Sequence, residues 1–236
     1  MYFPSNKLLQ LFAFTLTTAA SPALADFIGD LSLQPTGCEK TELCTLGADF
    51  GYIDPRGLGW KADKDDVTDG ASIPRWAQKF VGIPFDPAAL PAAVLHDHYL
   101  KSVRPVRGWF QTQRMFYEAL REGGVAESRA SLMYAGVLIG SGKWITRMKG
   151  KPCNLGPGIA CTNQTVEITL ETQPETYGSD KYTSLLASVQ SQIESGAIGQ
   201  ETVEALVRAE LPNDIYLHNP SGQIIEIVEV GTFATE

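Results

Sequence analysis

The stretch over residues 67–100 constrains the fold more than any other part of the chain, because it joins a glycine turn to a helix that carries ionisable side chains. Gly70 follows Asp69 in a run of small polar residues, which is typical of a tight turn whose backbone N–H groups face a ligand. Further along, either Asp86-Pro87 or Leu90-Pro91 predicts a helix start with proline in the first turn. We therefore expect this turn and this helix to organise the fold.

His96 and Asp97 follow an apolar run on this helix, so we expect both on a packed face. A buried charge needs a partner or a metal, and clustered buried ionisable groups mark functional sites more often than scattered ones do. Taken singly, an Asp-Gly pair is usually a plain turn, and a lone helical histidine is usually a structural residue. Together they favour one site that contains Asp69, His96 and Asp97.

A second helix is predicted over residues 108–121. On it Trp109, Gln113, Phe116 and Leu120 recur at helical spacing, which makes one apolar stripe with a single amide inside it. Gln113 should therefore face the first helix and come close to the site.

The order of elements predicts an α+β fold with an N-terminal β-hairpin region, a three-helix and mainly α core, and a small α+β C-terminal appendage. Residues 46–60 alternate around a turn at 54–57, which predicts a hairpin. A third helix is predicted over roughly 126–148, and its apolar run is too short to cross a membrane, so we expect a buried core helix. The appendage should contain a strand at 165–170, helices at 179–195 and 200–210, and a hairpin formed by 215–218 and 223–230.

Residues 1–25 have the form of a signal peptide. Lys7 precedes an apolar segment at 8–20, and Ala23-Leu24-Ala25 has the small-x-small form of a signal-peptidase site. An uncleaved N-terminal anchor is the alternative. We expect a periplasmic or secreted protein that is not transmembrane and begins near Asp26.

Charge supports a division into a central domain, residues 26–161, and an acidic appendage, residues 162–236. Residues 1–161 hold 17 basic and 15 acidic side chains, whereas 162–236 hold 2 and 12. The acidic segment argues against a nucleic-acid partner. We expect it to dock on the basic region at 101–151 through exposed pairs that loosen as salt rises. The alternatives for that region are contact with anionic phospholipid or another envelope component, or a solvated face.

Four cysteines in an exported chain favour two disulfides. The pairs Cys38–Cys44 and Cys153–Cys161 are preferred because each closes a short loop. A cross-pairing such as Cys38–Cys161 stays open at this point.

Three separated motifs resemble a phage and bacterial family known as domain of unknown function 1353. They are the run Thr68-Asp69-Gly70-Ala71-Ser72-Ile73-Pro74-Arg75, the pair His96-Asp97 with an aromatic residue close behind, and the end of the second helix from Phe116 to Val125. The resemblance covers about residues 50–148. It implies a shared domain and brings no activity with it.

A more distant resemblance is to the secreted bacterial and fungal phospholipases of the A-two type, on Asp69-Gly70-Ala71-Ser72, His96-Asp97 with Tyr99, and Gln113 three residues before Phe116. It implies Asp69, Gly70 and Asp97 as calcium ligands and His96 as the base that activates water. Gln113 stands where those enzymes carry the aspartate that orients the histidine, and an amide has no charge to stabilise an imidazolium.

Three hypotheses follow for the function. In the first, the protein is an exported, non-catalytic interaction module in which Asp69, His96 and Asp97 form a satisfied polar network. In the second, it is a calcium-dependent esterase or phospholipase with His96 and Gln113 in the catalytic roles. A metal-dependent cell-wall hydrolase is weaker, since His96 and His98 stand two residues apart and do not share a helix face.

Overall fold

The computed structural model describes residues 25–40, 43–70, 83–101, 106–151 and 164–227. Three of the predictions fall outside the described residues: the signal peptide at 1–25, the 71–75 part of the turn motif, and the pair Cys153–Cys161. For the described residues, the mixed α+β class is confirmed.

The strands and helices come in the predicted general order. The strands are β1 (Asp26–Ile28), β2 (Leu33–Gln34), β3 (Cys44–Leu46), β4 (Phe50–Ile53), β5 (Gly59–Ala62), β6 (Val67–Thr68), β7 (Lys143–Lys151), β8 (Gln164–Gln173) and β9 (Gln223–Ile227). The helices are α1 (Leu90–Leu100), α2 (Trp109–Glu122), α3 (Glu127–Gly140), α4 (Asp180–Glu194), α5 (Gln200–Glu210) and α6 (Ile215–His218).

The N-terminal strands form two small antiparallel sheets, in the orders β1-β4-β5 and β2-β3-β6. The predicted hairpin is confirmed as β4 and β5, and the buried carboxylate of Asp54 holds its turn by accepting hydrogen bonds from the Leu58 N–H and the Trp60 indole. The Cys38–Cys44 disulfide is also confirmed, with the two Cα atoms 5.2 Å apart. This bond is consistent with an exported protein.

Helices α1, α2 and α3 pack on one another and on β5 to form the central core. The prediction that the third helix continues to residue 148 is wrong, because α3 ends at Gly140. Beyond Ser141 and Gly142 the chain becomes the long strand β7, in which Trp144 and Ile145 are buried. Small residues before a segment rich in β-branched and aromatic side chains favour this change from helix to strand.

Strand β7 is the centre of the C-terminal sheet, with β8 antiparallel on one side and β9 parallel on the other. The hairpin predicted from 215–218 and 223–230 is therefore wrong. Residues 215–218 form the short helix α6, whose start is capped by Asp214 through hydrogen bonds from the N–H groups of Tyr216 and Leu217. Such a cap satisfies helical donors locally and favours a helical turn over a strand.

The C-terminal segment docks on the region at 101–151, as charge predicted, through ion pairs and through apolar contact. Val203, Val207 and Leu217 lie in the same hydrophobic core as α2 and α3, and Glu204 is only 2% exposed where it meets Arg114. The buried apolar contact adds stability that salt does not weaken, and the predicted loosening of the exposed pairs at high salt stays a prediction. None of the helices in the described ranges is long and apolar enough to cross a membrane.

Candidate functional site

Helix α1 places His96 and Asp97 in the interior. Pro91 lies in its first turn, where the missing N–H costs nothing, and the buried run from Ala92 to Leu95 presses the helix onto the core. His96 is 5% exposed and Asp97 8% exposed. Both ionisable side chains are therefore buried, and each needs a hydrogen-bond partner or a counter-charge.

His96 points to α2, as the apolar stripe predicted. Its Nε2 lies 2.8 Å from Oε1 of Gln113, and its ring packs on Phe116 with the centroids 4.6 Å apart. With the amide oxygen as acceptor, His96 carries its proton on Nε2. The amide nitrogen of Gln113 is buried and has no hydrogen-bond partner among the described residues, so within them only the amide oxygen of Gln113 is paired.

Asp97 points the other way, to the strand that leads into the glycine turn. Its Oδ2 accepts a hydrogen bond of 2.8 Å from the Thr68 hydroxyl and one of 3.3 Å from the Lys101 ammonium. The same Thr68 hydroxyl accepts a hydrogen bond from the N–H of Gly70. A continuous chain of hydrogen bonds thus joins α1 to the turn.

Burial shifts the pKa values of the two neighbours in opposite directions. Desolvation lowers the pKa of His96 to about 4, and it raises the pKa of Asp97 to about 6 against the opposing pull of Lys101. The charge of Asp69 also raises the pKa of Asp97, which means that the turn carboxylate is close enough to act on it. At pH 7 His96 is neutral and Asp97 is ionised.

These shifts predict a pH dependence of stability in which two effects nearly cancel. The folded pKa of His96 lies below its ordinary 6.5, so acidification from pH 6.5 to 4 protonates the unfolded chain first and destabilises the fold. The folded pKa of Asp97 lies above its ordinary 3.8, so acidification through pH 6 stabilises the fold. Each contribution is up to about 3 kcal/mol. Asp97→Asn should therefore lose stability more steeply than the natural protein between pH 6.5 and 4.5.

Urea unfolding at a series of pH values measures this difference directly. His96→Leu serves as the matched control, because it removes the opposing effect and should gain stability, relative to the natural protein, over the same range. Parallel pH profiles for the three proteins would mean that His96 and Asp97 do not titrate as buried groups.

Asp69, Gly70 and His98 have different environments from the buried pair His96 and Asp97. Asp69 is exposed beside Gly70, which is buried with a φ of +76° and whose added Cβ would meet the Pro84 carbonyl oxygen at 2.5 Å. His98 contacts Asp66, with Nδ1 2.5 Å from Oδ2. His96 and His98 therefore have separate partners, as their spacing predicted.

One oxygen of Asp97, which is expected to hold calcium together with Asp69 and Gly70, already has two partners. Its Oδ2 faces the ammonium of Lys101 and accepts a hydrogen bond from Thr68. Among the described residues no three His, Cys, Asp or Glu side chains converge as a metal site. Calcium prefers several oxygen ligands at about 2.3–2.6 Å, and the positive charge of Lys101 opposes a cation at Oδ2. Calcium binding by these residues stays a prediction.

Two residues of the site were missed from the sequence. Lys101 stands one helical turn after Asp97, so the i,i+4 spacing was a usable signal. Thr68 is 29 residues from Asp97, and no local pattern indicates that its hydroxyl bridges the turn to the helix.

The fold and the site together define an α+β protein with a buried histidine–amide pair beside a glycine turn. Residues 44–137 match the family described as "Protein of unknown function (DUF1353)", and the resemblance drawn from the three motifs is confirmed. The comparisons give no support to the phospholipase resemblance.

Two uncharacterized proteins of Sinorhizobium fredii (strain NBRC 101917 / NGR234) are similar to the chain. The protein y4iH is 40% identical over 111 residues, which is 47% of this chain and 46% of that protein. The protein y4jT is 30% identical over 209 residues, which is 87% of this chain and 57% of that protein. The chain thus spans about half the length of these relatives. No solved structure matches it significantly.

Proposed function

We propose that the protein is an exported, non-catalytic interaction module of the cell envelope, in which the His96–Asp97 site is a polar lock between the glycine turn and helices α1 and α2. The observation that carries the proposal is that both ionisable groups are buried and already have protein partners, Gln113 for His96 and Thr68 with Lys101 for Asp97. A buried network of this kind fixes one arrangement of the segments that it joins.

The lock holds the turn in a single position at the surface. Gly70 is tied to Thr68 on one side and packed against Pro84 on the other, and it displays the exposed Asp69. The turn is therefore the natural contact surface of the module.

The basic region at 101–151 favours a protein partner over anionic phospholipid. Most of its cations are paired with acids of the same chain: Lys101–Asp97, Arg114–Glu204, Arg129–Asp86, Lys143–Asp214, Arg147–Glu171 and Lys149–Glu167. Within the part of this region that the structure describes, little uncompensated positive charge is left to attract a negatively charged membrane.

A second candidate function is ester hydrolysis with His96 as the general base. One observation favours it. Gln113 accepts the hydrogen bond from His96 Nε2, as the orienting residue of a catalytic histidine does. The other ring nitrogen, Nδ1, is therefore unprotonated and is the atom that would accept a proton from water. A pKa of about 4 keeps the imidazole neutral at pH 7 but makes it a weak base. Calcium, if bound by Asp69, Gly70 and Asp97, would polarise the ester carbonyl.

Hydrolysis and calcium binding separate the two candidates in one experiment. For the mature protein, Asp97→Asn and Gln113→Asp, we expect background hydrolysis of a short-chain ester, with or without millimolar calcium. We also expect calcium to leave the melting midpoint of the natural protein unchanged. Calcium bound only to the folded protein would raise this midpoint, so an unchanged midpoint means that calcium does not bind.

The esterase hypothesis predicts the opposite results for calcium binding and for hydrolysis. It requires a calcium-dependent rise in the midpoint that is lost in Asp97→Asn. It also requires that Gln113→Asp, which restores a carboxylate beside the histidine, increases hydrolysis. The control is Gln113→Asp combined with His96→Ala, which must return the rate to background. Both results together would contradict the proposal of a non-catalytic module and would support an esterase.

A further inference from the structure

A second polar site lies in a cavity of about 230 Å³ between the β4–β5 turn, the first turns of α2 and the turn at 219–222. Its lining residues are two arginines, two neutral polar residues and two apolar ones: Arg56, Arg114, Gln111, Ser221, Phe110 and Pro220. Every polar side chain in this lining carries at least one hydrogen-bond donor, and none of the lining residues is acidic. The lining therefore suits an anion.

The two guanidinium groups are fixed by acids that lie behind them, of which Asp54 and Glu204 are buried and Glu118 is partly buried. Arg56 uses one nitrogen, Nη2, for both Asp54 and Glu118, each at 3.0 Å. Arg114 uses Nε and Nη2 for the two oxygens of Glu204, both at 2.8 Å. Their side chains are still 39% and 34% exposed. The arginines are thus held in place while part of each group faces solvent.

Arg56 keeps donor capacity for a ligand. Within the described part of the chain, its hydrogen bonds use the backbone N–H and Nη2. The ring of Phe110 further fixes Arg114, whose guanidinium carbon lies 4.9 Å from the ring centroid. Donors that are already oriented lose little entropy when they bind a ligand, and guanidinium groups match the oxygens of phosphate.

We propose that this cavity, which we call the Arg56–Arg114 pocket, binds the phosphate group of a small phosphomonoester. Two guanidinium groups on different elements fit a tetrahedral anion with three free oxygens better than a planar carboxylate, which one arginine can pair alone. The cavity has room for an organic group beyond the phosphate. The Gln111 amide and the Ser221 hydroxyl supply further donors at its rim.

The acid behind Arg56 makes the pocket sensitive to pH. Burial raises the pKa of Glu118 to about 7, and its charged neighbours are Arg56, Asp54 and Arg114. Protonation of Glu118 below pH 7 removes one of the two negative charges that pair with Arg56, while Asp54 still holds it in place. Sulfate, which stays doubly charged over this range, should therefore bind more tightly at pH 6 than at pH 8, by up to about tenfold for a double charge roughly 6 Å away in water.

Titration calorimetry of the mature protein with glycerol 3-phosphate and with inorganic phosphate, at constant ionic strength in chloride, tests the pocket. Both should bind, and Gln111→Glu, which places a carboxylate in the pocket, should weaken binding by at least about fivefold. The matched control is Ser128→Glu, which puts the same charge in the first turn of α3 on an exposed position. It should bind as the natural protein does.

Vesicles that contain phosphatidic acid carry the same group on a lipid and distinguish the source. Binding of the vesicles without binding of the free ester would overturn the small-molecule assignment. Absence of any phosphate binding, or equal binding by Gln111→Glu and Ser128→Glu, would overturn the pocket itself. Equal thermal midpoints for the two variants and the natural protein, without ligand, ensure that folding is not the cause.

Discussion

Replacement of Glu204 by leucine should destabilise the protein by about 3–5 kcal/mol, the usual result when one partner of a buried ion pair is removed. Glu204 accepts two hydrogen bonds from Arg114, one from the Tyr134 hydroxyl and one from Arg208. Leucine fills much of the space but leaves the arginine charge and the tyrosine hydroxyl without an acceptor. The loss should appear as a lower midpoint of urea unfolding.

Glu201→Leu is the matched control for this variant. Glu201 lies one turn earlier on α5 and is exposed, so its replacement should change stability by less than about 1 kcal/mol. If the two variants lose similar stability, the C-terminal segment is not anchored through Glu204. A double variant with Arg114→Met should recover part of the loss, because an apolar pair leaves no buried charge.

Much of the central fold was readable from local sequence signals. The turn at 54–57, the helix after Pro91 and the apolar stripe on α2 were all predicted, because each depends on neighbouring residues. The same stripe put Gln113 towards α1, where it contacts His96. Local periodicity is a sufficient guide where one buried face sets the structure.

Features that depend on distant residues were not readable. The parallel pairing of β7 with β9 joins residues far apart in the chain, and 223–230 alone resembles half of a hairpin. Glu204 falls between Val203 and Val207 on α5, where a charge ordinarily indicates a solvated position. Its burial becomes understandable only when Arg114 and Arg208 meet it in the folded protein.

The polar lock is the centre of this account, and a double-mutant cycle on His96 and Gln113 tests it most directly. His96→Leu leaves the amide of Gln113 without its imidazole, and Gln113→Leu leaves the His96 ring nitrogen without an acceptor. Each should cost about 2–3 kcal/mol, since an unsatisfied buried polar group carries its full desolvation penalty. The double variant removes both polar groups at once and should cost less than the sum.

Urea unfolding of the four proteins at pH 7 gives the coupling free energy between the two residues. We predict a coupling of about 1–3 kcal/mol in the favourable direction, as expected for buried residues in contact. Losses that add to within about 0.5 kcal/mol would mean that His96 and Gln113 do not stabilise each other, and the lock would be contradicted.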